Sequence, residues 1–283
     1  RDETVMNIIG LGNPGCKVAA SFEKYPQYNV YYCDVGRTGK NTVCLDKFDK
    51  AEDAEKIKID LGALKDLSNE ETFFILAGSG KTSMVSLRII EPIKKLLINI
   101  IYIRPSLVLL NDEEKLLERT TYGILQEYAR SGLFKRIILV DNTKIEEIIG
   151  ETPLVEYFNA INSTIGMTIH MLNYLINTSK IMGNLSEPNK INRICTVGIL
   201  DIKTGKEQPF FELQNVKEKQ LYYLLNNKDL TENRNILKLI NAHVEDMKEQ
   251  CKSVSFAVVE SSYEESYAYT ISYTNVVQGF NYC

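Results

Sequence analysis

Two short glycine-rich stretches carry the residue types that hold phosphate. Residues 10–15 read GLGNPG and residues 76–84 read LAGSGKTSM; each follows an apolar run and precedes a segment with helical spacing. Glycine lets backbone N–H groups turn toward an anion, and the helix that follows points its positive end at the same place. GSGKT resembles the end of an ATP-type phosphate loop, but that loop opens on a glycine five positions before its Gly-Lys pair, and Ile75 stands there instead. GLGNPG matches the dinucleotide pattern GxGxxG, with Asp34 at the end of the next strand, where a ribose-binding acid is expected. Taken alone it favours a Rossmann oxidoreductase using NAD through Gly10, Gly12, Gly15 and Asp34. The second glycine turn at Gly78, Ser79 and Gly80 shifts the weight to a nucleoside di- or triphosphate. Nor does either histidine, His170 or His243, follow a strand end to serve hydride transfer.

The elements that must position these turns are legible as alternating β-rich and helical runs, the pattern of a mostly parallel, doubly wound α/β sheet. Strands are expected at residues 4–10, 29–34, 56–60, 71–77, 99–104 and 135–140. Helices are expected at 16–24, at 84–97 with a kink at Pro92, and at 112–132 ending on Gly132. In such sheets ligands bind beyond the carboxyl ends of the strands, which here carry both glycine turns, Asp34, Asp141 and Asn142. A long helix is expected over 153–179, capped by Thr152, with Leu154, Phe158, Ile161, Ile165, Ile169, Leu172 and Ile176 on one apolar stripe. The reading is a nucleotide-binding domain at 1–152, a central helix at 153–179 and a smaller α+β domain at 180–283. In that last domain strands are expected at 193–202, 253–260 and 266–275, and helices at 217–227 and 235–250.

Composition removes several function classes. The 283 residues carry 33 Lys and Arg against 37 Asp and Glu, a net charge of −4, so no positive field draws nucleic acid or an anionic membrane. The longest apolar run, LLINIIYI, is too short to span a bilayer and no signal peptide is evident, so a cytoplasmic location is expected. Six cysteines at 16, 33, 44, 195, 251 and 283 form no CxxC pair, so separately buried, reduced thiols are expected, with no metal site built by the protein. The sequence opens on Arg1 and closes on GFNYC without a long charged tail, so other contacts, or residues beyond this sequence, are expected to carry any assembly.

The order of these features resembles the tubulin and FtsZ superfamily of filament-forming GTPases, in a divergent prokaryotic or bacteriophage form. The resemblance covers roughly residues 4–185. IIGLGNPGCKVAASF is similar to the family's first phosphate loop, and FFILAGSGKTSMVSLRIIEPI to the strand, glycine signature and helix that hold the β- and γ-phosphates. That signature is shorter here and carries an unexpected Lys81. ILVDNTKIEEIIGETPLVEYFNAIN resembles the loop and helix start that hold the nucleoside. The resemblance implies GTP or GDP with Mg²⁺ bound through Gly12, Asn13, Gly15, Cys16, Asp34, Gly78, Ser79, Gly80, Lys81, Thr82 and Asn142. Phe158 would stack on the base and Asn162 bond its edge, with Glu114 or Arg119 near the ribose or base. From the residues alone, Phe158 reads equally well as core, and Cys16 as filler behind the turn.

The resemblance further implies head-to-tail self-assembly, in which acids after the central helix reach the next copy's nucleotide and orient the attacking water. Here that stretch reads MGNLSEPNK, whose one acid is Glu187, with Asn184 at the family's leading asparagine. Glu187 and Asn184 are therefore the candidate catalytic residues, and a nucleotide-binding scaffold without hydrolysis is the alternative.

Overall fold

A computed structural model describes residues 6–65, 67 and 71–279. In chain order the elements are β1 (Met6–Leu11), α1 (Gly12–Ala20), β2 (Tyr28–Val35), β3 (Thr42–Leu45), β4 (Glu71–Ala77), α2 (Ser86–Ile90), β5 (Leu97–Arg104), α3 (Asp112–Ser131), β6 (Arg136–Asp141), α4 (Asn142–Ile149), α5 (Tyr157–Asn177), β7 (Met182–Asn184), β8 (Ile194–Leu200), β9 (Glu207–Pro209), β10 (Glu218–Asn226), α6 (Asn227–Thr231), α7 (Ile236–Gln250), β11 (Ser253–Ser261) and β12 (Tyr267–Thr274). They fall into two compact units that divide within α5, between Met167 and Thr168, and the second unit closes at Gln278.

The first unit is a parallel sheet in the order β3-β2-β1-β4-β5-β6. Its central strands are continuous apolar runs, such as FFIL in β4, because helices cover both faces of a parallel sheet. The chain winds outward from β1 through β2 to β3, then returns to the middle and winds the other way through β4, β5 and β6. The crevice between β1 and β4 is therefore the topological switch point, where such sheets bind their ligands.

Several expectations need correction. Residues 56–60 form no ladder strand; Ile59 makes a single antiparallel bridge to Leu45, and Arg88 takes the carbonyl of Ile57 at 2.8 Å. The short β3 was not foreseen. The helix expected over 84–97 is broken into a tight turn at Lys81–Val85, α2, and a second tight turn at Glu91–Ile93. Pro92 lacks an N–H and crowds the preceding turn, so it ends the helix rather than kinking it. The helix over 112–131 is as expected: Asn111 and Glu114 close a capping box, and Gly132 takes the left-handed conformation (φ 89°).

Helix α5 starts four residues later than expected. Thr152 donates to the Gly150 carbonyl at 3.3 Å instead of capping, and Pro153 accepts from Glu156 and Tyr157. Leu154, Phe158 and Ile176 consequently lie exposed, while Ile161, Ile165, Ile169, Leu172 and Leu175 are buried. No helix among the described residues is long and apolar enough to cross a membrane.

The second unit is a mixed sheet in the order β8-β12-β10-β11-β7, with β9 on the edge of β8. Residues 217–227, expected as a helix, form the parallel and antiparallel central strand β10. LYYLL is buried on both faces there, and a short run that is apolar at every position carries no period that separates helix from strand. Tyr267, Tyr269, Ile271 and Tyr273 do alternate in β12, but Ala268, Thr270 and Ser272 between them are buried too, so that strand is covered on both faces. One face packs on α7 through Leu221, Tyr223, Ile240, Val244 and Met247.

Candidate functional site

The two glycine turns leave adjacent strands at the switch point. Leu11 pairs with Leu76 across β1 and β4, so the chain enters both turns side by side. Gly12 has a positive φ of 67°, and a Cβ there would stand 2.5 Å from Thr82 Oγ1, so only glycine lets the two turns meet. Asn13 is exposed beyond it, Gly15 is buried against β4, and α1 begins at once. Cys16 is 2% exposed and donates its thiol to the Gly10 carbonyl at 3.3 Å. It fills the space behind the turn, and burial pushes its thiol up to about 11. Cys33 and Cys195 are likewise buried, but Cys44 is exposed, against the expectation for every thiol.

The second turn is backed by a buried polar cluster. Ser83 donates to the Gly78 carbonyl at 2.8 Å and shares a hydrogen bond with Thr121 of α3 at 3.1 Å. Gly78 is itself buried, and any Cβ added there would overlap the Tyr102 hydroxyl and the Glu118 carboxyl. Tyr102 donates to the backbone carbonyl of Glu118 at 3.3 Å, while neither carboxyl oxygen of Glu118 has a hydrogen bond among the described residues. Burial drives the Glu118 carboxyl up to about 8; Tyr102 and Arg104 pull it down and Asp141 pushes it further up. Ser79 and Thr82 are half-buried and Gly80 is exposed on the open side of the turn.

Lys81 does not extend freely toward this crevice. Its ammonium donates to the Asp49 carbonyl and pairs with Glu113 at 3.6 Å, tying the turn to the loop after β3 and to the start of α3. Glu114 spends its carboxylate on the backbone of Asn111 at 2.9 Å, and Arg119 is exposed.

The remaining candidates stand further along the same rim. Asp34, at the end of β2, accepts from the Val35 N–H at 2.8 Å. Asn142 begins α4, and its buried Oδ1 has no hydrogen-bond partner among the described residues. Four strand spacings separate β2 from β6, roughly 19 Å, so one nucleoside cannot be held by both Asp34 and Asn142. Phe158 is 59% exposed, packed edge-on against Tyr157 with ring centroids 5.0 Å apart, which removes its reading as core. Asn162 is half-buried one turn further along α5. In the second unit, Asn184 lies in β7 paired with Phe256 of β11, and Glu187 is exposed in the loop that follows.

Sequence reasoning missed Glu118 and Arg37. Glu118 shares the buried stripe of α3 with Tyr122, Leu125 and Ala129, and an acid at that spacing was the available signal. Arg37 lies in the turn after β2, where no periodicity speaks; its guanidinium sits 3.8 Å over the Tyr32 ring and acts on the Cys16 thiol, bringing a cation to the first turn.

As for cations, no cluster of three or more His, Cys, Asp or Glu side chains suited to a metal occurs among the described residues. Magnesium bound with a nucleotide needs only one or two protein oxygens besides phosphates and water, and Asn13, Thr82 and Asp34 supply that type of donor at the turns.

No family profile and no curated protein sequence matches the chain. Solved structures do. CetZ from Methanosaeta thermophila matches with a TM-score of 0.70 at 14% identity, covering 96% of this chain and 87% of that one. A GTPγS-form protofilament of TubZ from Bacillus thuringiensis serovar israelensis matches at 0.71 and 15%, with coverages of 96% and 87%. An FtsZ dimer from M. jannaschii matches at 0.68 and 13%, over 95% and 88%. With its strand order, its two glycine turns at the switch point and its long α5, the chain has the fold of the tubulin and FtsZ superfamily.

Proposed function

We propose that the chain binds GTP and GDP with Mg²⁺ at the switch point of its parallel sheet and assembles head to tail with copies of itself. The observation that carries this reading is the meeting of two glycine turns, Gly12 against Thr82, at the carboxyl ends of β1 and β4. Backbone N–H groups from both turns, with the start of α1, suit an oligophosphate, and Arg37 adds positive charge on one side. The nucleoside belongs on the β6 side. There Asn142 has a buried oxygen in need of a donor, Phe158 offers an exposed ring for the base, and Asn162 offers its amide. Asp34 then serves the phosphate and cation side. Mg²⁺, when bound, would neutralise phosphate charge, and Asn13, Thr82 and Asp34 would hold or orient its shell.

Assembly is supported by apolar side chains left uncovered in the segments that follow β5 and α4. Val108 and Leu109 are 90% and 80% exposed, and Leu154 and Val155 are 85% and 92% exposed. Solved TubZ forms include two-stranded and four-stranded filaments. Hydrolysis would require a second copy to bring Glu187, with Asn184, to the γ-phosphate. The carboxylate would orient a water whose oxygen bonds to phosphorus as the bridging β–γ bond breaks, leaving GDP and inorganic phosphate. The exposed carboxylate of Glu187 is compatible with that role and equally with a scaffold that keeps its GTP. This work would take place in a bacterial cytoplasm, including that of a phage-infected host.

The test is to denature the purified protein, identify the nucleotide released, and follow sedimentation and phosphate release with GTP and with GDP. Retained guanine nucleotide with GTP-dependent pelleting is expected. Retention of NAD with indifference to GTP overturns the proposal. Pelleting without phosphate release selects the scaffold form, whereas turnover that Glu187→Ala abolishes selects the GTPase.

A further inference from the structure

We infer that Glu118 is a positioning residue for the phosphate-binding turn: its uncharged carboxyl, wedged against Gly78 beside Tyr102, holds the turn ready for nucleotide, and its ionisation weakens binding. The inference rests on the GTP reading above and assigns to that site a support that responds to pH.

The geometry stands without any titration argument. Glu118 is completely buried, its carboxyl touches the space beside the Gly78 Cα, and Ser83 and Thr121 fix the same Gly78 peptide from its carbonyl side. Glu118 and Thr121 lie three residues apart on α3, so one face of a single helix supports the turn at two points. A fully buried carboxyl that has the Tyr102 hydroxyl beside it, and no carboxyl hydrogen bond of ordinary geometry among the described residues, is costly when ionised.

The charged and titratable groups facing it are Tyr102 and Arg104 from β5, Asp141 from β6 and Tyr122 from α3 itself. Burial raises the carboxyl most; the Tyr102 hydroxyl and Arg104 favour the anion and Asp141 opposes it, and burial outweighs them, so the carboxyl is largely protonated at neutral pH. Once ionised, it sets a negative charge in a buried site against Gly78, at the back of the turn proposed to hold the phosphates. Like charges at that depth are poorly screened. By linkage, bound phosphate and the Glu118 proton support one another, and each is lost more readily without the other.

The experiment is a titration with a fluorescent, non-hydrolysable GTP analogue in excess Mg²⁺ at pH 7, 8 and 9. The wild type and the Glu118→Gln and Glu118→Met variants are compared, with circular dichroism at each pH to establish folding. The wild-type Kd is expected to rise about tenfold from pH 7 to pH 9, following a single deprotonation near 8, while either neutral variant that folds shows a flat profile. A merely structural Glu118 would lower affinity equally at every pH when replaced, so the profile separates the two. If a folded neutral variant keeps the wild-type pH dependence, or if the wild type is flat, the inference is overturned while GTP binding stands. If the wild type binds no analogue at pH 7, the GTP reading falls and takes the inference with it.

Discussion

Each unit draws a glutamate out of most of its solvent, fully in the first and partly in the second, and the two are treated in opposite ways. Glu207 of the second unit is met by the Lys219 ammonium at 2.5 Å and by the Thr270 hydroxyl at 2.6 Å, a charge fully matched inside the sheet. Glu118 of the first unit is more deeply buried, with the Tyr102 hydroxyl beside its carboxyl and no matching cation bonded to it among the described residues. A matched acid is architecture, since the fold around it is complete. An acid without a matching cation beside a glycine turn marks a place where the protein leaves an interaction open, and among the described residues the same unit leaves the Asn142 Oδ1 open at the start of α4, beyond β6.

The contrast can be broken most forcefully at Lys219. Lys219→Ala strands the part-buried Glu207 carboxylate without its cation and should cost about 3 kcal/mol in urea unfolding, with most of it recovered when Glu207→Leu is added. A loss no greater than that of a surface substitution would remove the distinction between the two acids.

The next effect, of the order of 3 kcal/mol by pH 7, comes from Glu118 without any mutation of its surroundings. Its folded-state pKa, near 8, lies above the ordinary value of 4.5. Between those values the folded chain keeps a proton that the unfolded chain releases, so stability falls as pH rises through the window and levels off above about 8. Unfolding at pH 5, 7 and 9 should show that slope in the wild type and its loss in Glu118→Gln.

Gly78→Ala tests the wedge itself. Even one methyl must displace Tyr102 or Glu118, so a cost of about 1–3 kcal/mol is expected together with loss of nucleotide binding. Smallest is Lys81→Ala: its pair with Glu113 is exposed, so stability should change by less than about 1 kcal/mol and GTP affinity by less than twofold. A large fall in affinity would return Lys81 to the phosphate.

The parallel sheet was readable because its strands are long, β-rich and punctuated by glycine, aspartate and asparagine at their ends. β10 was not, since the run LYYLL is buried on both faces and looks the same in either conformation. The start of α5 failed for a related reason. Leu154 and Phe158 fit the helical period, yet Pro153 spends its carbonyl on a tighter turn, and both side chains stay in solvent. At the site, the glycine turns announced themselves by residue type, while the partners that back them came from β5 and α3, distant in sequence from Gly78.

By itself, the sequence determined the sheet class, the two glycine turns and the net negative charge, because these follow from local conformation and composition. Only the tertiary structure decided that Gly12 and Thr82 meet, that Lys81 is occupied by Asp49 and Glu113, that the Phe158 ring is exposed, and that Glu118 is buried beside Tyr102 and Gly78. Burial and charge pairing are properties of what the chain brings together from afar, and no local pattern records them.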